Sequence, residues 1–403
     1  MVKKYINDNF DKCIREHQND EGERIGLPYP YTVPCVSGRF QEMYYWDTYF
    51  TNIGLILTGR LKQAKNNTDD ILYLVDRFGY MPNGNLTKYL KSSQPPFLSI
   101  MVRDIYEKTG DKKWLASAAE TVALEYGFWM TRRITPCGLN RYGANLEKPG
   151  CDGMEVNLRE RLGFEPPIAT TELKREHFIA NCESGWDLNP RFEFEAFNYA
   201  PADLNSLLYA LEKNMAFFCG ETGEGESGIW LERAEKRAEL MRKYMLNENG
   251  CFYDYNFKKD KLSPIFSAAS YFPLYVGMAS PAEAEAAKNS LPKIEKDFGV
   301  AACEKNDIKG IYQWDYPNAW ACLQYTSVIG LAAYGFLSEA ERIAHKFISA
   351  VETSFSATGN LWEKYNAEDG SINTRNEYTM PPMLGWTAGA YLYLTEFCKN
   401  HRV

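Results

Sequence analysis

The sequence predicts an all-α fold in which helical hairpins form a closed ring of inner and outer helices, with short β-hairpins in the loops. Three observations predict this class: apolar residues recur at helical spacing over long runs, strand-like runs are few and short, and acid-plus-aromatic clusters separate the helical runs. No Gly/Ser-rich linker divides the 403 residues. We therefore expect one domain over residues 1–403, with residues 1–35 as an N-terminal extension that packs on it.

The helical runs occur in pairs joined by short breaks, which is the pattern of a helical hairpin. The break at Gly110 separates one such pair, and Asp203 can cap the first helix of another. The predicted helices cover residues 97–106, 113–129, 203–220, 228–245, 320–334, 337–355 and 386–398. A strand is expected over residues 251–255, next to a turn at Asn249 and Gly250. The runs between residues 138 and 192 are poorly defined, so periodicity alone does not set the number of hairpins at six.

Composition and charge disfavour several classes of protein. The net charge of −8 argues against a nucleic-acid partner, which requires Lys and Arg clustered on a basic face. No run approaches the ~18 apolar residues of a membrane span, and no apolar signal region follows the first lysines. The ten cysteines contain no C-x-x-C pair and are expected to be mostly free thiols, so the predicted location is cytoplasmic. The four histidines share no metal-ligand spacing, so neither a metal nor another cofactor is predicted.

The segment over residues 181–187 is the strongest indication of a ligand site. It places the Asp187 carboxyl beside Trp186, whose flat apolar face suits the C–H side of a sugar ring, and beside Glu183, which can bond hydroxyl groups. Gly185 lets the backbone approach a ligand closely. Three further clusters that combine an acid with aromatic residues lie at residues 39–47, 313–320 and 362–365.

Together these clusters resemble the motifs of the trehalase family of glycoside hydrolases. Residues 38–47, G-R-F-Q-E-M-Y-Y-W-D, resemble the first signature of the family, and residues 313–320, Q-W-D-Y-P-N-A-W, resemble the second. Shorter matches follow in the order of the family: P-N-G-N at 82–85, S-Q-P-P at 93–96, E-S-G-W-D at 183–187, D-L-N at 203–205, G-E-T-G at 220–223, E-K-Y at 363–365, E-Y at 377–378 and G-W-T at 385–387. The resemblance extends over residues 36–390 and implies an (α/α)6 toroid and an inverting α-glycosidase.

The resemblance implies that Asp187 is the general acid and Glu363 the general base. An inverting glycosidase needs a protonated carboxyl at the glycosidic oxygen and a carboxylate that activates water, about 6.5–9.5 Å apart. Burial beside Trp186 is expected to raise the pKa of Asp187, and an adjacent cation such as Lys364 favours an ionised base. The residues expected to bind the sugar are Arg39, Phe40, Trp46, Asp47, Asn83, Gln94, Glu183, Gly185, Trp186, Gln313, Trp314, Glu377 and Trp386.

Some of these residues have alternative interpretations. The planar guanidinium of Arg39 can hold two hydroxyls of one sugar, or it can form a buried ion pair with Glu42 or Asp47. Glu377 and the tyrosine after it can form a lid over the substrate or an ordinary surface loop. In the second signature, Asp315 and Trp320 are as readily explained by capping and packing of the following helix.

The chain departs from the family pattern on the leaving-group side. Ser92 stands where the family has an arginine before S-Q-P-P, and no R-P-E-S-Y segment is recognisable near residues 148–152, although Arg175 or Arg375 can take over. Three functions therefore stay open. They are an inverting α-glucosidase for trehalose or a related small disaccharide, a toroid glycosidase for another α-glucoside or an α-mannoside, and a sugar-binding or sugar-isomerising toroid without hydrolysis.

Overall fold

The computed structural model describes residues 1–148, 156–376 and 378–400, most of which lie in helices. The α-helices in these ranges are α1 (Val2–Asn9), α2 (Tyr45–Leu57), α3 (Leu61–Phe78), α4 (Leu98–Thr109), α5 (Lys112–Arg132), α6 (Leu158–Leu162), α7 (Thr171–Glu183), α8 (Ala202–Thr222), α9 (Ser227–Met245), α10 (Phe272–Tyr275), α11 (Pro281–Asn289), α12 (Ala321–Ala333), α13 (Leu337–Thr358) and α14 (Gly385–Asn400). The predicted helices agree with these bounds to within three residues at either end.

Six helices form a closed inner ring. Helices α2, α4, α8, α10, α12 and α14 contact one another in that order, and α14 closes the ring against α2. On the outside, α3, α5, α9 and α13 each pack on the inner helix that precedes them in the chain. Helices α3, α5 and α13 also contact the next inner helix, so each of these three fills the groove between two inner ones. The predicted (α/α)6 toroid is confirmed.

Capping residues explain where many helices begin and end. The Asp111 side chain accepts the backbone N–H of Trp114 at the start of α5, and Ser280 forms a capping box with Glu283 at the start of α11. Helices α3, α4, α8 and α13 each end at a glycine with positive φ, which a residue with a Cβ adopts at a cost. These stops are visible in the sequence, which is why the helix ends were predictable.

The strands are two or three residues long and pair antiparallel. They are β1 (Ile14–Arg15) with β2 (Tyr31–Thr32), β3 (Tyr199–Ala200) with β4 (Tyr255–Asn256), β4 with β5 (Lys261–Leu262), β6 (Glu295–Lys296) with β7 (Gly299–Val300), and β8 (Asn318–Trp320) with β9 (Lys364–Asn366). The last pair positions the site, because its register sets Trp320 opposite Lys364. It thereby joins two of the acid-plus-aromatic clusters.

Two local predictions are wrong. The strand predicted over residues 251–255 overlaps β4 only at Tyr255, because Phe252 forms an isolated bridge with Leu246 instead. Asp203 does not cap α8: it lies in the first turn of the helix, and its Oδ2 accepts a hydrogen bond of 2.8 Å from Nη2 of the buried Arg191. A buried guanidinium requires a carboxylate partner, and pairing with Arg191 is worth more free energy to Asp203 than capping the helix.

One cluster of buried apolar side chains extends from Val2 to Cys398 and fills the space between the two layers of helices. The N-terminal segment belongs to it. Phe10 packs so closely on Gly54 that a Cβ there would lie 2.7 Å from the phenyl ring, and Tyr5 meets Phe355 edge-on with ring centroids 5.1 Å apart. These contacts agree with an extension that packs on the ring, while the division of the chain into domains stays a prediction.

The nine cysteines within the described residues are all free thiols. Six of them are buried, as is usual for cysteine acting as a small apolar residue. In the same ranges, no helix combines the length and the apolar character that crossing a lipid bilayer requires.

Candidate active site

A cleft of about 280 Å³ lies at one end of the ring, where the N-terminal ends of α2, α12 and α14 meet. Its walls contain both aromatic and ionisable side chains. The ionisable groups that line it are the carboxyl groups of Asp47, Asp187 and Glu363 and the cationic groups of Arg39, Lys91 and Arg161. A cleft of this size, apolar with a few convergent polar groups, suits a small polar ligand.

Asp187 follows α7 through a turn at Gly185, and its side chain is half-buried in the cleft wall. Within the described residues, no donor makes a hydrogen bond to its carboxyl oxygens. Burial raises the pKa of Asp187 to about 6, while the charge of Arg161 lowers it and that of Glu363 raises it. A carboxyl group of this kind can hold a proton close to neutral pH and deliver it to a bound ligand.

Glu363 lines the same cleft and is held from three directions. Its Oε2 lies 2.6 Å from Nζ of Lys364, and its Oε1 accepts a hydrogen bond from the hydroxyl of Tyr378. Its backbone carbonyl accepts a hydrogen bond of 3.0 Å from the indole of Trp386. Each carboxylate oxygen has a second lone pair, so these donors orient the group and leave it able to bind a water molecule.

Asp47 is a third carboxyl group of the cleft. It lies in the first turn of α2 and is buried. Burial and the charge of Glu363 raise the pKa of Asp47 to about 8, and its own backbone N–H lowers it. A pKa raised in this direction favours the protonated carboxyl, which can both donate a hydrogen bond to a sugar hydroxyl and accept one.

Arg39 is exposed at the mouth of the cleft. Its guanidinium carbon lies 4.1 Å from the ring centroid of Tyr378 and 5.2 Å from that of Phe40, which also lines the cleft. No carboxylate in the described ranges pairs with it, so the alternative of a buried ion pair with Glu42 or Asp47 is wrong. The stacking leaves the donor edge of the guanidinium available for a ligand.

Four further predicted residues form one wall around the start of α2. Gly185 has φ +72°, and a Cβ there would lie 2.7 Å from Cε2 of Trp46, so this close packing requires glycine. The backbone N–H of Trp46 donates to Oε1 of Gln94 at 3.1 Å. Asn83 donates to the carbonyl of Cys182 at 3.5 Å and so joins this wall to the end of α7. All four residues line the cleft.

Gln313 and Trp314, from the second signature, and Trp386, at the start of α14, also line the cleft. The backbone carbonyl of Gln313 accepts hydrogen bonds from Asn318 at 2.8 Å and from the indole of Trp320 at 3.2 Å. Its side-chain Oε1 is buried and has no hydrogen-bond partner within the described part of the chain. An unsatisfied acceptor costs free energy, and a ligand hydroxyl can remove that cost.

Glu183 does not reach the cleft. It is fully buried, and its two oxygens accept hydrogen bonds of 2.7 and 2.8 Å from Arg133. The backbone N–H groups of Ser93 and Gly143 donate to the same carboxylate. The prediction that Glu183 binds a sugar hydroxyl is therefore wrong, because this carboxylate already forms a salt bridge with a buried arginine.

Two other residues were predicted to bind the sugar, namely Trp186 and Glu377. Trp186 is fully buried and stacks on Trp314 with ring centroids 5.3 Å apart, so it supports the wall and does not face a ligand. Glu377 lies outside the described residues. Its neighbour Tyr378 lines the cleft, where its hydroxyl binds Glu363.

The cleft contains two cations that sequence reasoning missed. Arg161, in the short helix α6, lines the cleft with its guanidinium carbon 4.9 Å from the ring of Phe178, and its charge acts on Asp187. Lys91 also lines the cleft, next to Ser92. The only signals in the sequence were a basic side chain in a poorly defined region and a lysine beside the absent arginine.

The two arginines considered as replacements lie elsewhere. Arg375 contacts Oδ2 of Asp315 at 3.1 Å, and Asn306 donates to Oδ1 of the same residue at 2.8 Å. Asp315 therefore anchors a loop and does not cap α12. Arg175 lies on α7 and is not among the residues that line the cleft.

Comparisons with known proteins agree with this geometry. The family model described as Trehalase matches residues 2–399. The chain is 32% identical over 420 residues to a periplasmic trehalase of Xanthomonas axonopodis pv. citri, with 98% of this chain and 72% of that protein covered. It is 32% identical over 419 residues to a periplasmic trehalase of Pseudomonas aeruginosa, with 97% and 75% covered. Among solved structures, neutral trehalase Nth1 from Saccharomyces cerevisiae matches with a TM-score of 0.80 and 28% identity, over 98% of this chain and 80% of that one.

These relatives correct one prediction. The bacterial ones are named periplasmic trehalases, which contradicts the predicted cytoplasmic location. The prediction rested on free thiols as the mark of a reducing compartment. That inference fails for cysteines that are buried as small apolar residues, because burial by itself keeps such thiols from reacting.

Proposed function

Because the chain belongs to the trehalase family of glycoside hydrolases, we propose that it hydrolyses α,α-trehalose with inversion, with Asp187 as general acid and Glu363 as general base. The observation that carries this proposal is that two carboxyl groups line one cleft in opposite environments. Burial raises the pKa of Asp187 to about 6, whereas Glu363 forms a salt bridge with Lys364. One group is thus suited to hold a proton and the other to act as a carboxylate, which is the division that inversion requires.

In the proposed reaction, Glu363 binds a water molecule and takes a proton from it as the water oxygen attacks the anomeric carbon of one glucose. The glycosidic C–O bond breaks in the same step, and Asp187 gives its proton to the departing oxygen. The attacked ring is released as β-glucose and the leaving ring as α-glucose. Proton exchange with solvent returns both carboxyl groups to their starting states.

We assign the attacked glucose to the part of the cleft bounded by Arg39 and Asn83, and the leaving glucose to the part bounded by Lys91 and Arg161. Two observations support this assignment. Arg161 acts on Asp187, which must touch the departing oxygen. Lys91 adjoins the position where an arginine of the family pattern is absent, so the two cations can supply the donors that this subsite needs.

A second substrate class is favoured by one observation. Ser92 itself lines the cleft, and a hydroxyl there cannot form the two parallel hydrogen bonds that a guanidinium gives to a sugar. A glycosidase that lacks such a donor accepts leaving groups other than glucose more readily. The second candidate is therefore hydrolysis of another small α-glucoside.

Incubation of the purified protein with trehalose and a panel of other α-linked disaccharides tests the proposal. We expect kcat/KM for trehalose to exceed that of the other substrates by at least about tenfold, an advantage of ~1.4 kcal/mol in the transition state. Comparable rates across the panel would favour the second candidate. No release of sugar from any α-glycoside would reject hydrolysis altogether.

A further inference from the structure

Two buried cations and three tryptophans form a continuous stack beside the cleft, which we call the cation–tryptophan column. Its members in order are Arg191, Trp186, Trp314, Trp320 and Lys364. The guanidinium carbon of Arg191 lies 4.2 Å from the ring centroid of Trp186. The centroids of Trp186 and Trp314 are 5.3 Å apart, and those of Trp314 and Trp320 are 3.7 Å apart with planes 3° from parallel. Nζ of Lys364 lies 4.5 Å from the centroid of Trp320.

Trp314 is the central member of the column. Trp186 and Trp320 each stack on it, and within the described residues no ring contact joins these two directly. All five side chains are buried. A cation at each end faces an aromatic ring, which is the favourable geometry because the face of an indole ring is its electronegative part.

Each end of the column is joined to one of the two proposed catalytic carboxyl groups. Asp187 directly follows Trp186 in the chain, and the loop that holds it is anchored at its other end by Arg191, so both ends of a six-residue segment belong to the column. At the far end, Lys364 is the neighbour of Glu363 in the chain and lies 2.6 Å from its Oε2. The column therefore connects the acid to the base through stacked rings.

The surroundings hold the column in place. Arg191 contacts Asp203 at 2.8 Å and Asp254 at 3.4 Å, which neutralise its charge and fix it to α8 and the segment before β4. At the other end, the register of β8 and β9 sets Trp320 opposite Lys364, and Trp386 packs perpendicular to Trp320 with centroids 5.7 Å apart.

We propose that the cation–tryptophan column sets the separation between Asp187 and Glu363, and that Trp320 is a positioning residue for the base. This inference rests on the proposed function of the two carboxyl groups. Inversion leaves room for one water molecule between the base and the sugar, which corresponds to carboxyl groups about 6.5–9.5 Å apart. A displacement of about 1 Å in such a site costs on the order of 10²-fold in rate, so a rigid spacer between the two groups has a direct catalytic value.

Substitution of Trp320 tests the inference. In Trp320→Leu the column loses the ring on which Lys364 rests, and we expect kcat for trehalose to fall by about 10²-fold with KM within about threefold of the original value. In Trp320→Phe a smaller ring retains both faces but fills the stack incompletely, so we expect kcat to recover only in part, to about three- to tenfold below the original. The matched control is Trp129→Leu, which removes a fully buried tryptophan that does not line the cleft. We expect it to lower the unfolding temperature and to leave kcat within about twofold.

Three outcomes decide the inference. A raised KM with unchanged kcat in Trp320→Leu would make Trp320 a binding surface only and would overturn the positioning role. If Trp320→Leu does not fold, Trp320→Phe decides alone, because a reduced kcat at unchanged KM supports the column and an unchanged kcat rejects it. Glu363→Gln separates the two proposals: activity retained in that variant rejects the proposed function, whereas an inactive Glu363→Gln beside fully active Trp320 variants rejects only the column.

Discussion

The two proposed catalytic residues differ because their nearest neighbours differ. Asp187 lies in a half-buried position without a hydrogen-bond donor in the described residues, while Glu363 receives Lys364 on one oxygen and Tyr378 on the other. The same functional group thus acquires two chemical roles from its environment. Each role leads to a measurable consequence for a single substitution.

Asp187→Asn is expected to reduce kcat for trehalose by ~10²–10⁴-fold with the fold intact, because the amide cannot give a proton to the departing oxygen. On α-glucosyl fluoride the loss should be much smaller, since fluoride departs without protonation. Steady-state kinetics on both substrates measure the difference. Asp111→Asn is the matched control, because asparagine also caps a helix and this position lies away from the cleft. Equal losses on the two substrates would remove Asp187 from proton donation.

The pH dependence of kcat/KM is expected to have its alkaline limb near pH 6. The acid works while protonated, so the rate falls as the pH rises through the pKa of Asp187, which burial raises to about 6. Arg161→Gln removes a charge that lowers this pKa, so the limb should move to higher pH, and KM for trehalose should rise. Arg342→Gln, which removes a surface salt bridge to Glu295, serves as the control. A limb that stays in place in Arg161→Gln would contradict the coupling.

Glu183→Gln is expected to lower the free energy of unfolding by about 3 kcal/mol, because it leaves the buried Arg133 without a counter-charge. The folded enzyme should retain a KM for trehalose close to the original, since the carboxylate does not face the cleft. Chemical denaturation and kinetics at a temperature where the variant is folded measure the two effects. Unchanged stability together with a raised KM would contradict this role and would show that Glu183 binds the sugar.

At the scale of elements, the turn between α7 and Asp187 is the most constrained feature of the site. Gly185→Ala is expected to cost about 2 kcal/mol or more in stability and to reduce kcat, because it combines a left-handed backbone with a contact of 2.7 Å to the ring of Trp46. Gly127→Ala is the control, since Gly127 lies inside α5 with no atom within 4 Å of the added Cβ, and alanine there should be neutral or stabilising. Urea unfolding of both variants provides the test, and equal stabilities would contradict the close packing.

The elements show what the sequence can predict and what it cannot. Helix ends were predictable where a glycine stop or a cap marks them, as at Gly110 and Asp111. The ends of α6 and α7 were not predictable, because the region that contains these helices has no clear apolar period. The misplaced strand near Tyr255 and the misjudged cap at Asp203 share a cause, since the pairing of a strand and a buried partner such as Arg191 depend on the folded chain and not on local residue preference.

At the scale of the whole molecule, ring closure brings together segments that are far apart in the sequence. The acid-plus-aromatic motifs indicated Asp187, Glu363 and most of the cleft wall, because the family pattern preserves those residues in order. The family pattern could not indicate that Arg133 forms a buried salt bridge with Glu183 or that Arg161 lines the cleft. Both features depend on side-chain packing between elements. In the proposed assignment, Lys91 and Arg161, which the fold brings into the cleft, compensate for the departures from the pattern on the leaving-group side.

We propose that Asp187 and Glu363 act together in a single displacement at the anomeric carbon. Proton NMR during the first moments of trehalose hydrolysis tests it most directly, because the anomers are distinguishable before mutarotation. Inversion releases the attacked ring as β-glucose and the leaving ring as α-glucose, so we expect equal initial amounts of the two anomers. Initial release of α-glucose alone would show retention through a covalent intermediate and would contradict the assignment of Glu363 as a base.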